Sequence, residues 1–441
     1  MYQYTLGNEK ITSNAGISYF APLFKKNSEI KQFNNIKLEN TKSGRISNDS
    51  IIKSMIILLS LQYSNFADIE HFKDNPLFIN AIGGRIPSEA TLRQRLNEIA
   101  EFDSSSIIDN ITIKTLKNIK LGTRETVVGD LIPIDIDVSV LMNPYSLKED
   151  VGLTYKKVNG YAPIFAYIGT EGYMLANELR PGKQHSEKGA IEFVKRCIKI
   201  AVSLGYPPQK LLLRLDSGHD DSKLLAVLQK EKVHYLIKRN PRREINEQVI
   251  DSIRSSAKIK KNRRGKYTYT EKTCNKMPPQ MDNYKGFMAI EAVERTIDSK
   301  GQPLLIPTVE IASWWTSLLD DADYCVYLYH DHATSEQFHS ELKSDMKIES
   351  LPSGKMKTNT LILALANIAF NFLRKIGQLS LKVKGGEKTV ARIRLYTVIR
   401  DFMKVACKIV HHAHKIFLNF GCICQNFNVI KEIYKCCQKC S

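Results

Sequence analysis

The sequence predicts an α/β protein: a mixed five-stranded sheet with flanking helices, an N-terminal helical domain and a β-rich insertion. Three observations carry this. The hydrophobic period changes from helical to strand-like near residue 125. The elements that follow run three strands, helix, strand, helix, strand. A basic, strand-rich stretch then breaks that pattern before helical periodicity returns.

Residues 1–120 read as a helical region. "NDSIIKSMIILLSLQYSNFADIEHF" carries apolar residues at helical spacing, with Asn48 or Asp49 as its cap. In "GGRIPSEATLRQRLNEIA", Gly83-Gly84 breaks the chain and Pro87-Ser88 starts a second helix. Arg93 and Arg95 ride on it beside apolar Leu92 and Leu96. A turn followed by a short basic helix is the pattern of a helix-turn-helix, and equally of a bundle helix with solvated arginines.

The first half of the core spans 121–240. "LIPIDIDVSV" alternates strictly, with Ile132, Ile134, Ile136, Val138 and Val140 on one face and Asp135, Asp137 and Ser139 on the other. "YAPIFAYIG" and "YMLANELRPG" follow as strands joined by a "TEG" turn. "SEKGAIEFVKRCIKIAVSLGY" has helical period and a Ser/Glu start, and "KLLLRLDSGHD" is a buried strand ending in an acid. "DDSKLLAVLQKEK" is a helix and "VHYLIKRN" the fifth strand. The first three strands can form an antiparallel meander; the later crossovers require parallel pairing. That succession matches a ribonuclease H-like fold, whose chemistry uses carboxylates on its first and fourth strands.

Residues 241–318 read as the insertion, with "GFMAIEAVERTI" and "LLIPTVEIA" as strands. "YCVYLYH" reads as a core strand opening the second part of the core, 319–385, which includes the helix "LILALANIAFNFLRKI". Residues 386–441 read as a basic helical C-terminal region.

At 441 residues the chain can hold two or three domains. A net charge of +18, with pI near 9.3, points to a polyanionic partner, nucleic acid before membrane surface. The run "SMIILLSLQY" is too short to span a bilayer and "MYQYTLGNEK" lacks a signal-peptide core, so a cytoplasmic, nucleoid-associated protein is expected. Cys407, Cys422, Cys424, Cys436, Cys437 and Cys440 crowd the C-terminus near His411, His412 and His414. Their spacing forms no paired CxxC arrangement, which favours reduced thiols over zinc.

Three acids stand out. Asp137 shares its strand face with Asp135, Asp216 ends a buried strand before "SGHD", and Glu336 sits in the first turn of the helix begun by "TSEQFHSELKSDM". Each alone is also explained as a surface, turn or helix-dipole charge. At 100° per residue, Glu336 and Lys343 fall about 20° apart on one helix face. Phe338, Leu342 and Met346 take the opposite, packing face. Three gathered carboxylates repel, and divalent metal relieves that repulsion; hard oxygen donors suit Mg²⁺ or Mn²⁺ better than zinc.

Together these residues resemble bacterial insertion-sequence transposases of the DDE type, in the group with a Tyr-x2-Arg-x3-Glu-x6-Lys signature. Tyr329, His332, Glu336 and Lys343 reproduce that spacing. "DIDVSV", "GYAPIFAYIGTEGYMLANELRPGKQH", "LRLDSGHD" and "TSEQFHSELKSDM…LPSGK" resemble family blocks in family order, over roughly residues 10–420. The resemblance implies Asp137, Asp216 and Glu336 as a metal-binding catalytic triad, with Asp137 preferred to Asp135 because "DVS" fits the first-acid motif. It implies Lys343 beside the scissile phosphate and Tyr329 on DNA. Lys238, Arg239, Arg93 and Arg95 join the expected DNA contacts.

His332 departs from the signature's Arg. An imidazole lacks the bidentate, permanent charge of a guanidinium, so the expected phosphate contact is weaker and pH-dependent, or neighbouring cations replace it. In related cut-and-paste enzymes the inserted β-domain supplies a tryptophan that supports a flipped base; Trp314 and Trp315 are candidates by location, or core aromatics. The resemblance implies an Mg²⁺-dependent transposase that binds inverted repeats as a homodimer, cleaves the ends of its element and joins the 3′-OH to target DNA. A nuclease or resolvase without strand transfer, and a decayed DNA-binding regulator, are the alternatives.

Overall fold

A computed structural model describes residues 2–38, 46–145, 147–241, 253, 258–385, 390–413 and 415–439; for 258–263 it describes the backbone alone. Most of the basic stretch at 242–257, with His414 and Cys440, lies outside the described residues.

The N-terminal region is helical as expected. A short strand β1 (Ile11–Thr12) leads to α1 (Phe20–Lys26), α2 (Asn48–Ser60), α3 (Pro76–Ile82), α4 (Glu89–Ile99) and α5 (Ser105–Leu116). Helix α2 ends earlier than its apolar pattern, because Gln62 takes a left-handed backbone (φ 67°), and Phe66–Phe72 continues as a 3-10 turn. Asn75 caps α3 through Leu77 and Phe78 N–H, Gly83 closes it at φ 77°, and Ser88 caps α4.

The core follows as β2 (Ile132–Val138), a small three-stranded sheet of β3 (Leu141–Met142), β4 (Gly152–Leu153) and β5 (Asn159–Tyr161), then β6 (Ile164–Ile168) and β7 (Tyr173–Glu178). Helix α6 (Ala190–Ser203), β8 (Leu211–Leu215), α7 (Ser222–Glu231) and β9 (His234–Lys238) complete it. The spatial order is β7-β6-β2-β8-β9, antiparallel at β7-β6 and β6-β2 and parallel at β2-β8 and β8-β9. Both faces of β2 are covered, so its aspartates do not face bulk solvent as an edge strand's would.

The insertion extends this sheet. Strands β10 (Lys258–Arg263), β11 (Lys266–Thr273), β12 (Phe287–Ile297) and β13 (Pro303–Thr316) pair in sequence, and the C-terminal end of β13, Trp314 to Thr316, pairs antiparallel with β9. Among the described residues the result is one nine-stranded sheet.

Two expectations fail here. "YCVYLYH" is not a strand but α8 (Ala322–Asp331). Asp321 accepts the N–H of Tyr324 as its cap, and Ala322, Cys325 and Val326 bury a helical stripe. The C-terminal region is not simply helical. After α9 (Thr334–Ser340), α10 (Met356–Lys384) and the single turn α11 (Leu395–Val398), strands β14 (Cys407–His412) and β15 (Lys415–Phe420) form a hairpin paired to β1. Helix α12 (Phe427–Lys439) follows. "CKIVHH" and "KIFLNF" are short and rich in β-branched and aromatic residues, which is the strand signal their basic flanks obscure.

Alternation in β6 and β7 builds two cores. Phe165, Tyr167 and Met174 pack with α10 and the N-terminal helices; Ile164, Ala166, Ile168 and Leu175 pack toward α6 and α7. Among the described residues α10 alone is long and apolar enough to cross a membrane, and most of its apolar window is buried in the protein.

Candidate active site

Strands β2 and β8 run parallel with Ile136 opposite Leu215, so Asp137 and Asp216 emerge at the same level of neighbouring strands. Asp137 is largely enclosed. Burial alone would raise its carboxyl, but His339 first, then His332 and His219, hold it below the ordinary range. His339 Nε2 lies 3.3 Å from Asp137 Oδ2, near enough to attract but not aligned as a hydrogen bond. Asp216 is 45 % exposed; its Oδ1 accepts Gly218 N–H and lies 2.7 Å from Nδ1 of the buried His219.

Helix α9 delivers the third acid. Glu336 sits in its first turn, exposed and without a side-chain partner among the described residues. Phe338, Leu342 and Met346 are fully buried behind it, each contributing about 1.5–3 kcal/mol by leaving water. Phe338 packs where Gly172 closes the β6–β7 turn: at φ 67°, with the Phe338 ring in the space a Cβ would fill, that position excludes a side chain. A turn between core strands thus sets the depth of the helix that carries Glu336.

The expected 20° alignment of Glu336 and Lys343 is not kept. From Glu341 to Asp345 the helix widens into a π-turn, with more residues per turn than the α-helix assumed. Its acids are neutralised internally: Glu341, 1 % exposed, pairs with Arg374 and Arg392, and Asp345 with Arg394. Lys343 still reaches the cleft, where its ammonium donates to Val140 O at 3.2 Å. Partial burial is the main reason its pKa falls below that of a free lysine.

Asp137, Asp216, Glu336 and Lys343 therefore line one open cleft of about 710 Å³, with Tyr155, Lys156, Lys238, Tyr329, His332 and His339. Tyr155, Lys156 and His219 are not singled out by the sequence pattern, and His339 only by its place on the helix face between Glu336 and Lys343. The "SGHD" motif was the available signal for His219, and its helix face for His339.

Several expected DNA contacts are differently employed. His332 is buried, with Nδ1 2.8 Å from Asp135 Oδ1, so that nitrogen is engaged by the protein while the ring lines the cleft. Asp135 also receives two bonds from buried Arg214, at 2.6 and 2.8 Å. Arg214 reaches Leu328 O and Asp331, and Arg124 closes the set on Asp331. Burial works against ionisation of Asp135, but Arg214 and His332 outweigh it and hold the carboxyl at about 2. Asp135 is thus committed to structure, which leaves Asp137 as the cleft-facing acid of β2.

Tyr329 lines the cleft between Trp314 and His332. Arg239 lies over the ring of Trp315. Trp314 and Trp315 are each 1 % exposed, so they are core aromatics; Trp315 donates its indole N–H to Asp220. Arg95 bonds Ile46 O and Asn48, anchoring the start of α2. Arg93 is exposed, and lines a second cleft with Pro352–Lys355 rather than the acid cleft.

The donor chemistry of the three acids fits a hard divalent cation: carboxylate oxygens on one solvent-open cleft, with Glu336 free of any described protein partner. Among the described residues no three His, Cys, Asp or Glu side chains are already gathered closely enough to hold a metal ion.

A five-stranded core in this order, with acids at its first and fourth strands, defines a ribonuclease H-like protein. A model of the transposase DDE domain, group 1, matches residues 5–441, and the chain belongs to that family. Among solved structures, it is similar to the piggyBac transposase in a cryo-EM synaptic complex with hairpin DNA. The identity is 14 % and the TM-score 0.45, over 88 % of this chain and 78 % of that one. Among proteins of curated function, none matches.

Proposed function

We propose that this transposase binds the terminal inverted repeats of its own element as a homodimer, cleaves DNA at the element ends and joins the 3′-OH ends to target DNA. The observation that carries the reading is the convergence of Asp137, Asp216 and Glu336, from two strands and a helix, on one cleft edged by Lys156, Lys238 and Lys343. Asp137, Asp216 and Glu336 would hold Mg²⁺, or Mn²⁺ in its place; when bound, such ions activate the attacking oxygen and stabilise the leaving one. Lys343 supplies a point charge toward the scissile phosphate, and Tyr329 and Lys238 position the backbone. His219 and His339 orient the strand acids. Arg93 and the basic C-terminal region add contacts away from the cleft.

The test combines binding and chemistry. With about eight phosphates neutralised, raising salt from roughly 50 to 200 mM weakens end binding by about four orders of magnitude. Asp216→Asn and Glu336→Gln abolish Mg²⁺-dependent cleavage while retaining end binding. Strand transfer from pre-cleaved ends distinguishes a transposase from a nuclease: cleavage without joined product would overturn the joining step. A salt slope near zero would overturn DNA recognition itself.

A further inference from the structure

The π-turn that carries Lys343 is held from outside its own helix. Such turns are rare, occur mostly singly and recur at functional sites. Here Met346 N–H donates to Glu341 O at 3.0 Å, spanning the whole of Glu341–Asp345. The acids at the two ends of the turn are both buried, and both are gripped by one irregular segment, residues 391–394, between α10 and α11.

The carbonyls of that segment face one helix and its arginines another. Ala391 O accepts from Gln378 at 2.7 Å and Ile393 O from Arg374 at 3.1 Å, both on α10. Arg392 donates to Glu341 at 3.1 Å and to Gln337 at 2.9 Å. Arg394 forks onto the Asp345 carboxylate through Nε (2.9 Å) and Nη2 (3.0 Å), and Tyr396 N–H donates to the same group at 3.0 Å. The segment cannot drift from α10. Leu395, Val398 and Ile399 are buried, and a Cβ on Gly377 of α10 would meet the Val398 side chain at 3.0 Å.

The consequence falls on Lys343. In a continuous α-helix it would stand nearly in line with Glu336; the widened turn redirects it, and its ammonium meets Val140 O beyond the strand of Asp137. Neither Arg392 nor Arg394 lines the cleft, and the Arg394 side chain is 56 % exposed. We propose that Arg392 and Arg394 are positioning residues: by clamping Glu341 and Asp345 they hold the π-turn, and through it they aim Lys343 at the scissile phosphate. The proposal rests on the DNA-cleaving reading above and adds which residues outside the cleft set its lysine.

The experiment uses the full chain and a duplex carrying the terminal repeat of its element. Arg394→Ala should slow single-turnover cleavage at saturating DNA by about tenfold to a hundredfold, the scale of a small misplacement, with end affinity within about twofold of wild type. In a Lys343→Ala background the same substitution should slow cleavage no further, because the lysine it aims is gone. Hydrogen exchange over 341–348 should quicken while that of α10 does not, which separates a freed turn from general loosening. Should Arg394→Ala loosen α10 too, Arg392→Met decides by the same measurements, since Glu341 keeps Arg374 and no charge is stranded. Equal slowing in both backgrounds, or unchanged exchange over 341–348, would overturn the proposal. Lost affinity with an unchanged saturated rate would also overturn it, by making Arg394 a DNA contact. Quickened exchange in a protein whose wild type cleaves no end DNA would instead overturn the DNA-cleaving reading beneath it.

Discussion

Replacing Arg214 by methionine tests how β2, the strand of Asp135 and Asp137, is held. Arg214 and Asp135 side chains are each 2 % exposed, and the guanidinium makes two bonds to Asp135, one to Leu328 O and one to Asp331. Asp331 keeps Arg124 after the substitution; Asp135 keeps only His332. The carboxyl left buried is therefore Asp135, and breaking such a pair costs about 3–5 kcal/mol. Adding Asp135→Asn should recover much of that loss by removing the stranded charge.

The pH dependence changes sign. In wild type the Asp135 carboxyl is depressed from 3.8 to about 2, which corresponds to about 2–3 kcal/mol of stability. That stability is fully present above pH 4 and is lost as pH falls toward 2. Without Arg214, burial prevails and the folded-state carboxyl rises above its unfolded value. Its protonated form is then favoured by folding, so the variant gains stability as pH falls from 7 toward 5. Urea denaturation followed by far-UV circular dichroism at pH 7, 5 and 3 reads both effects. A loss under about 1 kcal/mol, or no recovery with Asp135→Asn, would refute the reasoning.

Other variants separate structure from chemistry. Gly172→Ala should cost more than about 1 kcal/mol in denaturation, because its backbone is left-handed and its Cβ meets the Phe338 ring; cleavage should fall with it as the Glu336 helix shifts. Trp314→Ala and Trp315→Ala should each destabilise by about 3–5 kcal/mol; loss of DNA binding at wild-type stability would refute their core placement. Lys343→Ala should slow cleavage roughly a hundredfold, with the unfolding midpoint little changed, as measured by single-turnover cleavage beside a thermal melt. His332→Ala should lower stability by about 1–3 kcal/mol by removing a partner of Asp135, where a residue acting only on DNA would leave stability intact.

Much of the core was legible because local pattern and burial agree there. Strict alternation marked β2, and short apolar runs between helices marked β8 and β9, so the antiparallel or parallel sense of the pairings followed from connection rules. "YCVYLYH" misled because aromatic and β-branched residues favour strands, while the Asp321 cap and the 322-325-326 stripe make it helix. For His332 the spacing was visible, but its partner lies 197 residues away in Asp135.

The sequence by itself determined which acids exist, which strands carry them and the family they belong to, because period, turn residues and motif spacing are local properties of the chain. It preferred Asp137 to Asp135 only through the family's first-acid motif, with no physical reason for the choice. Both point from the same face of β2, and only packing of Arg214 from β8 and His332 after α8 commits one to an ion pair and leaves the other on the cleft. Nor could it decide that the tryptophans are sealed while Tyr155 stands open, since burial depends on what the rest of the chain brings alongside.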